Sequence, residues 1–333
     1  MDDFERLPTL TDVAKAAGVS PSTVSRYFRG LHIREPLRER VRAVATRLGY
    51  VPDPTAVALR SGRTNTIGVV LPQVANTFFS RAFQLMVEEA RARGCAVLLL
   101  THQEEQAAQE ECLATLRRYK VDGVILTAVP GTTMDGVRKM LPRTPVVAFD
   151  RWFADEVDTV VLKNFEAARL ATDHLLQHGH TQVACITVKP EIDSFKERTR
   201  GYTGAMVARG LRPQLVSADD YDELRDRVGE MLLALSEPGA LLTLSNTATW
   251  SVLKACEDVG VASSSRALVG FDDFDYASLV QTPLTVIRQP VDDMVRRSVV
   301  AVFEQIEDAS RRAAPKRISL DGELVCRASC GCA

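Results

Sequence analysis

Ser20-Pro21-Ser22-Thr23-Val24-Ser25-Arg26 gathers four short hydroxyls and one guanidinium in a single stretch. Side chains of these types hydrogen-bond to base edges and phosphates in a DNA major groove. The flanking residues supply what must position them. Thr9 with Asp12 three residues on is a capping-box-like helix start, and Leu10, Val13, Ala14 and Ala17 then fall on one apolar helical face. Gly18 suits a tight turn, Ser20 an N-cap and Pro21 the first position of the next helix. On that helix Val24 and Phe28 point inward, leaving Ser22, Thr23, Ser25 and Arg26 outward. The spacing predicts a helix-turn-helix whose second helix reads DNA. The plainer alternative is a helical hairpin with a solvated face.

A third helix follows, opened by Pro36, lined inside by Leu37, Val41, Val44 and Leu48, and closed by Gly49. Its outer face carries Arg38, Arg40, Arg42 and Arg47, suited to solvent and to phosphates. Then Asp53, Pro54 and Gly62 bracket a helix of about eight residues, too short to be stable alone in water. Leu59, exposed beside the arginines at 60 and 63, fits a wedge for a minor groove; the alternative is a linker with Leu59 packed on a neighbour.

At 333 residues the chain is too long for one small core. Its 46% hydrophobic and 25% charged content is that of an ordinary globular protein. The net charge of −2 is unevenly spread: residues 1–64 hold 11 Lys/Arg against 7 Asp/Glu, a basic head on an acidic body. No apolar run reaches the roughly 18 residues that span a bilayer, and the acidic start lacks the apolar core of a secretory signal. Of seven cysteines, Cys95, Cys112, Cys185 and Cys256 are scattered in apolar segments, which suits reduced thiols in a cytoplasm. Cys326, Cys330 and Cys332 lack a nearby histidine or a paired CxxC and make a poor zinc site, so a structural final strand is expected there.

From residue 66, apolar runs alternate with helical stretches. The runs are Ile67–Leu71, Ala96–Leu100, Val124–Thr127, Val146–Phe149, Val183–Val188, Leu241–Leu244 and Leu268–Phe271. Helical periodicity covers Ser80–Arg93, Ala108–Tyr119, Glu166–His178 and Thr249–Asp258. This alternation predicts an α/β fold with two parallel sheets, ligands binding at the carboxyl ends of the strands and in the cleft between them. No internal sequence repeat is evident.

Together these residues resemble the LacI/GalR family of bacterial transcription regulators. The resemblance covers nearly the whole chain. It rests on Thr9–Arg26, Tyr50-Val51-Pro52, Ala56 with Leu59–Thr64, Ile67-Gly68-Val69-Val70, Asn76-Thr77-Phe78-Phe79 and Val121–Ile125. His174-Leu175, Gly179-His180, Arg198, Gly201-Tyr202, Val269–Asp273 and Pro283–Ile287 extend it. It implies a helix-turn-helix head (1–52), a hinge helix and linker (53–65), and a periplasmic-binding-protein-like core (66–333). Three crossovers near Asp158, Gln289 and Ser319 would divide that core into an N-subdomain, about 66–158 with 289–318, and a C-subdomain, about 159–288 with 319–333. The implied DNA-binding residues are Thr9, Ser20, Pro21, Ser22, Thr23, Ser25, Arg26, Tyr50, Ala56 and Leu59. The implied effector cleft uses Asp150, Arg198, Asn246 and Asp272, with Gln289 at a crossover beside it. Phe79 and Tyr221 are its apolar walls or ordinary core.

Two departures stand out. Thr247 replaces a common aspartate, and Lys163 stands where an acid is usual. With Lys189, Lys196, Arg198 and Arg200 nearby in sequence, Lys163 extends the alternatives from a neutral sugar to a phosphosugar or sugar acid. An enzyme is disfavoured by the lack of GxGxxG, Walker A and nucleophile-elbow motifs. A sugar-transport protein is disfavoured by the head and the missing signal. The resemblance therefore implies a cytoplasmic homodimeric repressor of carbohydrate-related genes. Its partners would be a pseudo-palindromic operator and a small effector, with no cofactor, metal or membrane. Without a leucine-heptad extension of the kind that builds tetramers after Cys332, a dimer is the expectation.

Overall fold

The computed structural model describes residues 7–53, 58, 62–234 and 239–331. Ala56 and Leu59 lie outside them. The chain divides into two compact units, 1–64 and 65–333.

Among its described residues the first unit holds three helices: α1 (Leu10–Ala17), α2 (Pro21–Phe28) and α3 (Glu35–Leu48). The capping box is formed in full, with Thr9 and Asp12 each accepting from the other's backbone N–H. Gly18 sits at φ 64°, in the left-handed region that glycine enters without strain, and turns the chain into Ser20, whose Oγ accepts from Thr23 N. Val13, Ala14, Ala17, Val24, Val41, Val44 and Ala45 make the small core. Phe28, expected inside with Val24, lies at the rim between Tyr27 and Tyr50.

The second unit contains two six-stranded sheets. The first has the order β11-β5-β4-β3-β1-β2 and is parallel throughout. Its strands are β1 (Thr66–Leu71), β2 (Ala96–Thr101), β3 (Gly123–Leu126), β4 (Val146–Phe149), β5 (Asp158–Leu162) and β11 (Arg317–Leu320). The second has the order β12-β10-β9-β8-β6-β7. It is built from β6 (Val183–Val188), β7 (Gln214–Ala218), β8 (Ala240–Thr243), β9 (Leu268–Phe271), β10 (Thr285–Arg288) and β12 (Glu323–Val325), and only β12 runs antiparallel. Side chains alternate across the first sheet as the pleat requires: Val147 and Phe149 join one core cluster, Val146 and Ala148 the other. Among the described residues eight helices connect the strands: α4 (Thr77–Ala92), α5 (Gln106–Arg118), α6 (Met134–Met140), α7 (Asn164–Gln177), α8 (Asp193–Ala208), α9 (Tyr221–Ala234), α10 (Asn246–Asp258) and α11 (Val291–Glu307).

The two sheets repeat one topology, which no sequence repeat advertised. The strand assignments also shift two expected crossovers. Asp158 opens β5 and Ser319 lies within β11, both in the first sheet, so the chain passes between sheets at Lys163 and at Asp321-Gly322. Gln289 stands between β10 of the second sheet and α11, whose Met294, Val295, Val299 and Val302 join the core of the first. The final strand expected at the cysteine tail is β12, which ends at Val325 before Cys326, and a short 3-10 turn (Ala328–Cys330) follows; Cys332 lies outside the described residues. The turn is pinned by Ser329 Oγ, which donates to Leu268 O at 2.6 Å.

Candidate functional site

In the first unit, Ser20, Pro21, Ser22 and Arg26 are exposed and Thr23 and Ser25 half-buried, so one face of α2 presents them together. Its front is a hydroxyl chain: Ser20 Oγ lies 2.7 Å from Ser22 Oγ and 2.9 Å from Thr23 Oγ1. Arg26 donates to His32 O at 3.1 Å. Thr9 is engaged in its cap, and the Tyr50 ring meets Phe28 edge-on at 5.3 Å, so Tyr50 belongs partly to the core.

In the second unit, matching strand ends carry matching aspartates. Asp150 follows β4 and Asp272 follows β9, each after a phenylalanine and each at φ 69°. Each backbone N–H donates to the neighbouring strand: Asp150 to Val160 O at 3.0 Å, Asp272 to Ile287 O at 2.9 Å. A left-handed non-glycine residue costs energy and persists where surroundings hold it, often at functional sites. Both side chains are enclosed, at 6% and 5% exposure.

Arg198 on α8, only 2% exposed, approaches them. Its Nε donates to Asn164 Oδ1 at 2.8 Å, its Nη1 to Leu244 O at 2.6 Å, and its guanidinium lies 4.3 Å over the Phe271 ring. Asp272 accepts from Gln289 Nε2 at 2.6 Å and Asn246 N at 3.3 Å. Gln289 Oε1 is buried without a hydrogen-bond partner among the described residues, an acceptor that a ligand hydroxyl could satisfy. Asn246 also spans the cleft: its Nδ2 donates to Asn76 Oδ1 at 3.0 Å and Thr77 Oγ1 at 2.8 Å. A groove of about 700 Å³ flanks this latch, lined by Thr77 and Gln289 with Asp273, Arg288 and Arg327.

Burial pushes the Asp150 carboxyl up to about 6, against the pull of Arg151 and Arg198 and with Asp272 and Glu104 adding to the rise. Burial also raises the Tyr221 phenol, which hydrogen-bonds with Thr247 and Ser245 and feels Glu104 and Arg151 from the opposite wall. Tyr221 thus reaches the cleft. Phe79 instead packs in the core, its ring 5.0 Å from Phe78. Lys163, expected among cleft cations, is half-exposed and pairs with Asp321 at 2.8 Å, because it stands at the crossover facing the loop between β11 and β12. Arg200 likewise pairs with Glu197. The sequence reading missed Asn76, Thr77, Glu104, Arg151 and Asn164. The signal available was adjacency: Arg151 follows Asp150, Asn164 follows Lys163, and Asn76-Thr77 stood among the residues of the family resemblance.

Among the described residues no group of three or more His, Cys, Asp or Glu could hold a metal ion, and no helix is long and apolar enough to cross a membrane.

Comparison with known proteins agrees with this architecture. The family pattern for periplasmic binding proteins and the sugar binding domain of the LacI family matches residues 64–322, and that for bacterial regulatory proteins of the lacI family matches residues 9–53. The chain is similar to the HTH-type transcriptional regulator PtxS of Pseudomonas plecoglossicida, with 28% identity over 96% of this chain and 95% of that one. It is similar to the ribose operon repressor of Escherichia coli (strain K12), with 27% identity over 90% and 93%. Its fold matches a lac repressor dimer bound to operator and an anti-inducer, with a TM-score of 0.86 at 24% identity over 97% and 99% of the two chains. With helix-turn-helix and sugar-binding units both matched in order, the chain is a DNA-binding transcriptional regulator and belongs to the LacI family.

Proposed function

We propose that this regulator represses carbohydrate-related genes as a homodimer on a pseudo-palindromic operator, under control of a small neutral sugar held between its core subdomains. The observation that carries the effector reading is the convergence of Arg198, Asp150, Asp272 and Asn246 at facing strand ends. Two carboxylates accept from hydroxyls, while the guanidinium and amide donate to them, a set that suits a polyol. Charge supports a neutral ligand over a phosphosugar or sugar acid. Lys163 and Arg200 have local acids, and the charges that remain balance: Asp150, Asp272 and Glu104 stand against Arg198, Arg151 and Lys189. Calorimetry with D-ribose, D-ribose 5-phosphate and D-gluconate should give binding by the neutral sugar only. A preference for either anion would reverse the assignment.

On the DNA side, Pro21, Ser22 and Arg26 are the proposed determinants of operator preference, because they occupy the exposed front and outer face of α2. Leu59 is proposed as a minor-groove wedge on its sequence context alone. Leu59→Ala should weaken specific operator binding by about 10-fold or more, with non-specific binding unchanged, the unstacking of a central base step being lost. Equal losses on both DNAs would remove the wedge. The effector acts by its differential affinity for two arrangements of the core, which sets how well a dimer's heads match two half-sites. The edge strand β2, with Val97, Leu98, Leu99 and Leu100 half-buried, supports pairing of two copies.

A further inference from the structure

One cleft cation enters the charge balance above but has no assigned role of its own. Arg151 follows Asp150, is almost wholly enclosed, and has its outer edge saturated. Nη1 and Nη2 donate to Glu104 at 2.8 and 2.7 Å, and Nη1 also donates to Ala128 O at 3.2 Å. Its Nε faces elsewhere: buried, without a hydrogen-bond partner among the described residues, it lies 3.5 Å from Asp150 Oδ2. The guanidinium therefore stands between two carboxylates, clamped to one and loosely facing the other. Glu104 is itself fixed, at φ 61°, by its N–H donating to His102 Nδ1 at 3.0 Å. Because Nδ1 accepts, Nε2 carries the proton and donates to Thr127 O at 2.8 Å. Burial holds this imidazole below its ordinary range, so His102 is a neutral strut.

We propose that Arg151, clamped by Glu104 on the His102 strut, is a positioning residue that keeps Asp150 an ionised acceptor for effector hydroxyls. Where the effector enters, the inference rests on the function proposed above; the ionisation of Asp150 can be read without it. The charged groups facing Asp150 are Arg151 beside it, Arg198 from α8, Asp272 after β9 and Glu104 after β2. Lys189 after β6 and Tyr221 at the start of α9 act on Glu104 and Arg151 from across the cleft. Burial raises the Asp150 carboxyl to about 6, and Arg151 is the largest force opposing that rise. Without Arg151 only Arg198 opposes it, and the carboxyl takes up a proton near neutral pH. Hydroxyl donors favour the ionised form, so effector affinity falls as pH drops through the Asp150 midpoint.

The test is a carbon-13 NMR titration of carboxyl groups in the full-length, effector-free protein, with the Asp150 signal identified by its loss in Asp150→Asn. The wild-type midpoint is expected near pH 6. Arg151→Gln should move it up by about one pH unit or more, whereas Glu104→Gln should move it down, because a carboxylate is removed and Arg151 is freed. Opposite directions support the proposal. An unmoved midpoint in Arg151→Gln overturns it, as does a shift of the two variants in the same direction. If Arg151→Gln fails to fold, the isosteric Glu104→Gln still decides: a downward shift supports the inference and an unchanged midpoint ends it. A second arm measures D-ribose affinity between pH 5 and 9. The Arg151→Gln loss should be large at neutral pH and recover at high pH, whereas a loss equal at every pH makes Arg151 merely structural. If D-ribose binds no variant at any pH, the effector reading is at fault and the NMR arm alone judges Arg151.

Discussion

Arg198→Ala is expected to weaken effector binding by about 100-fold or more while leaving the effector-free protein's affinity for operator DNA unchanged. The arginine is held from three sides, by Asn164 Oδ1, Leu244 O and the Phe271 face, so its position is set before any ligand arrives. Truncation removes the cation facing Asp150 and Asp272 and strips a partner from Asn164 and Leu244. Charge-assisted hydrogen bonds contribute about 1.5–3 kcal/mol each, so losing one or two lowers effector affinity by about 100-fold or more. The same change leaves buried acceptors unpaired and should destabilise the core by about 3 kcal/mol. Calorimetry and thermal melts measure the two losses separately. Arg198→Lys keeps the charge but not the fork, and should recover stability better than affinity. A normal effector response in Arg198→Ala would place the ligand somewhere else.

The parts of this arrangement that sequence exposed are those with a local cause. The Thr9 capping box, Gly18 and the Ser20-Pro21 start are set by backbone groups within a few residues, and each forms as its spacing predicts. Most of the central strands were legible because their runs are apolar on both faces. β5, β7, β10 and the strands β11 and β12 were not: Arg317–Leu320 and Glu323–Val325 are short and only half-buried, and pairing across the sheet rather than composition makes them strands. The site divides in the same way. Asp150 and Asp272 stand at strand ends, where the fold class already directs attention. Glu104 and Arg151 lie 47 residues apart in sequence, and their ion pair exists only once β2 and β4 are placed in one sheet. Lys163 was misplaced because neighbours in sequence were treated as neighbours in space: at a crossover its partner is Asp321, on the returning chain.

Gly201 provides the second large effect, and it couples stability to the site. It lies on α8 one turn after Arg198, where α8 crosses α7. A Cβ added there would stand 2.1 Å from Phe165 O and 3.1 Å from Arg169 N, both backbone atoms of α7. The helix cannot simply retreat, because Tyr202, the next residue, is anchored by its hydroxyl, which donates to Val183 O at 2.6 Å and accepts from Gln214 N at 2.7 Å. Gly201→Ala must therefore prise α8 from α7 or break that anchor, at about 3 kcal/mol or more. A loss of that size lowers Tm by roughly 6–12 °C in a unit this large. Asn164, at the start of α7, holds Arg198 on α8, so the same displacement lengthens their 2.8 Å hydrogen bond and weakens effector binding without touching the ligand. Gly204, three residues on, is the control. A Cβ there meets only ring carbons of Phe165, at 3.6 and 3.9 Å, and the position is exposed. Gly204→Ala should be neutral or stabilising by about 0.5–1 kcal/mol, since alanine restricts the unfolded chain and favours the helix. Melts of the two variants side by side, with effector titrations on each, read both consequences. If Gly201→Ala melts with the wild type, the helices are farther apart than described here, and the Arg198–Asn164 contact fails with them.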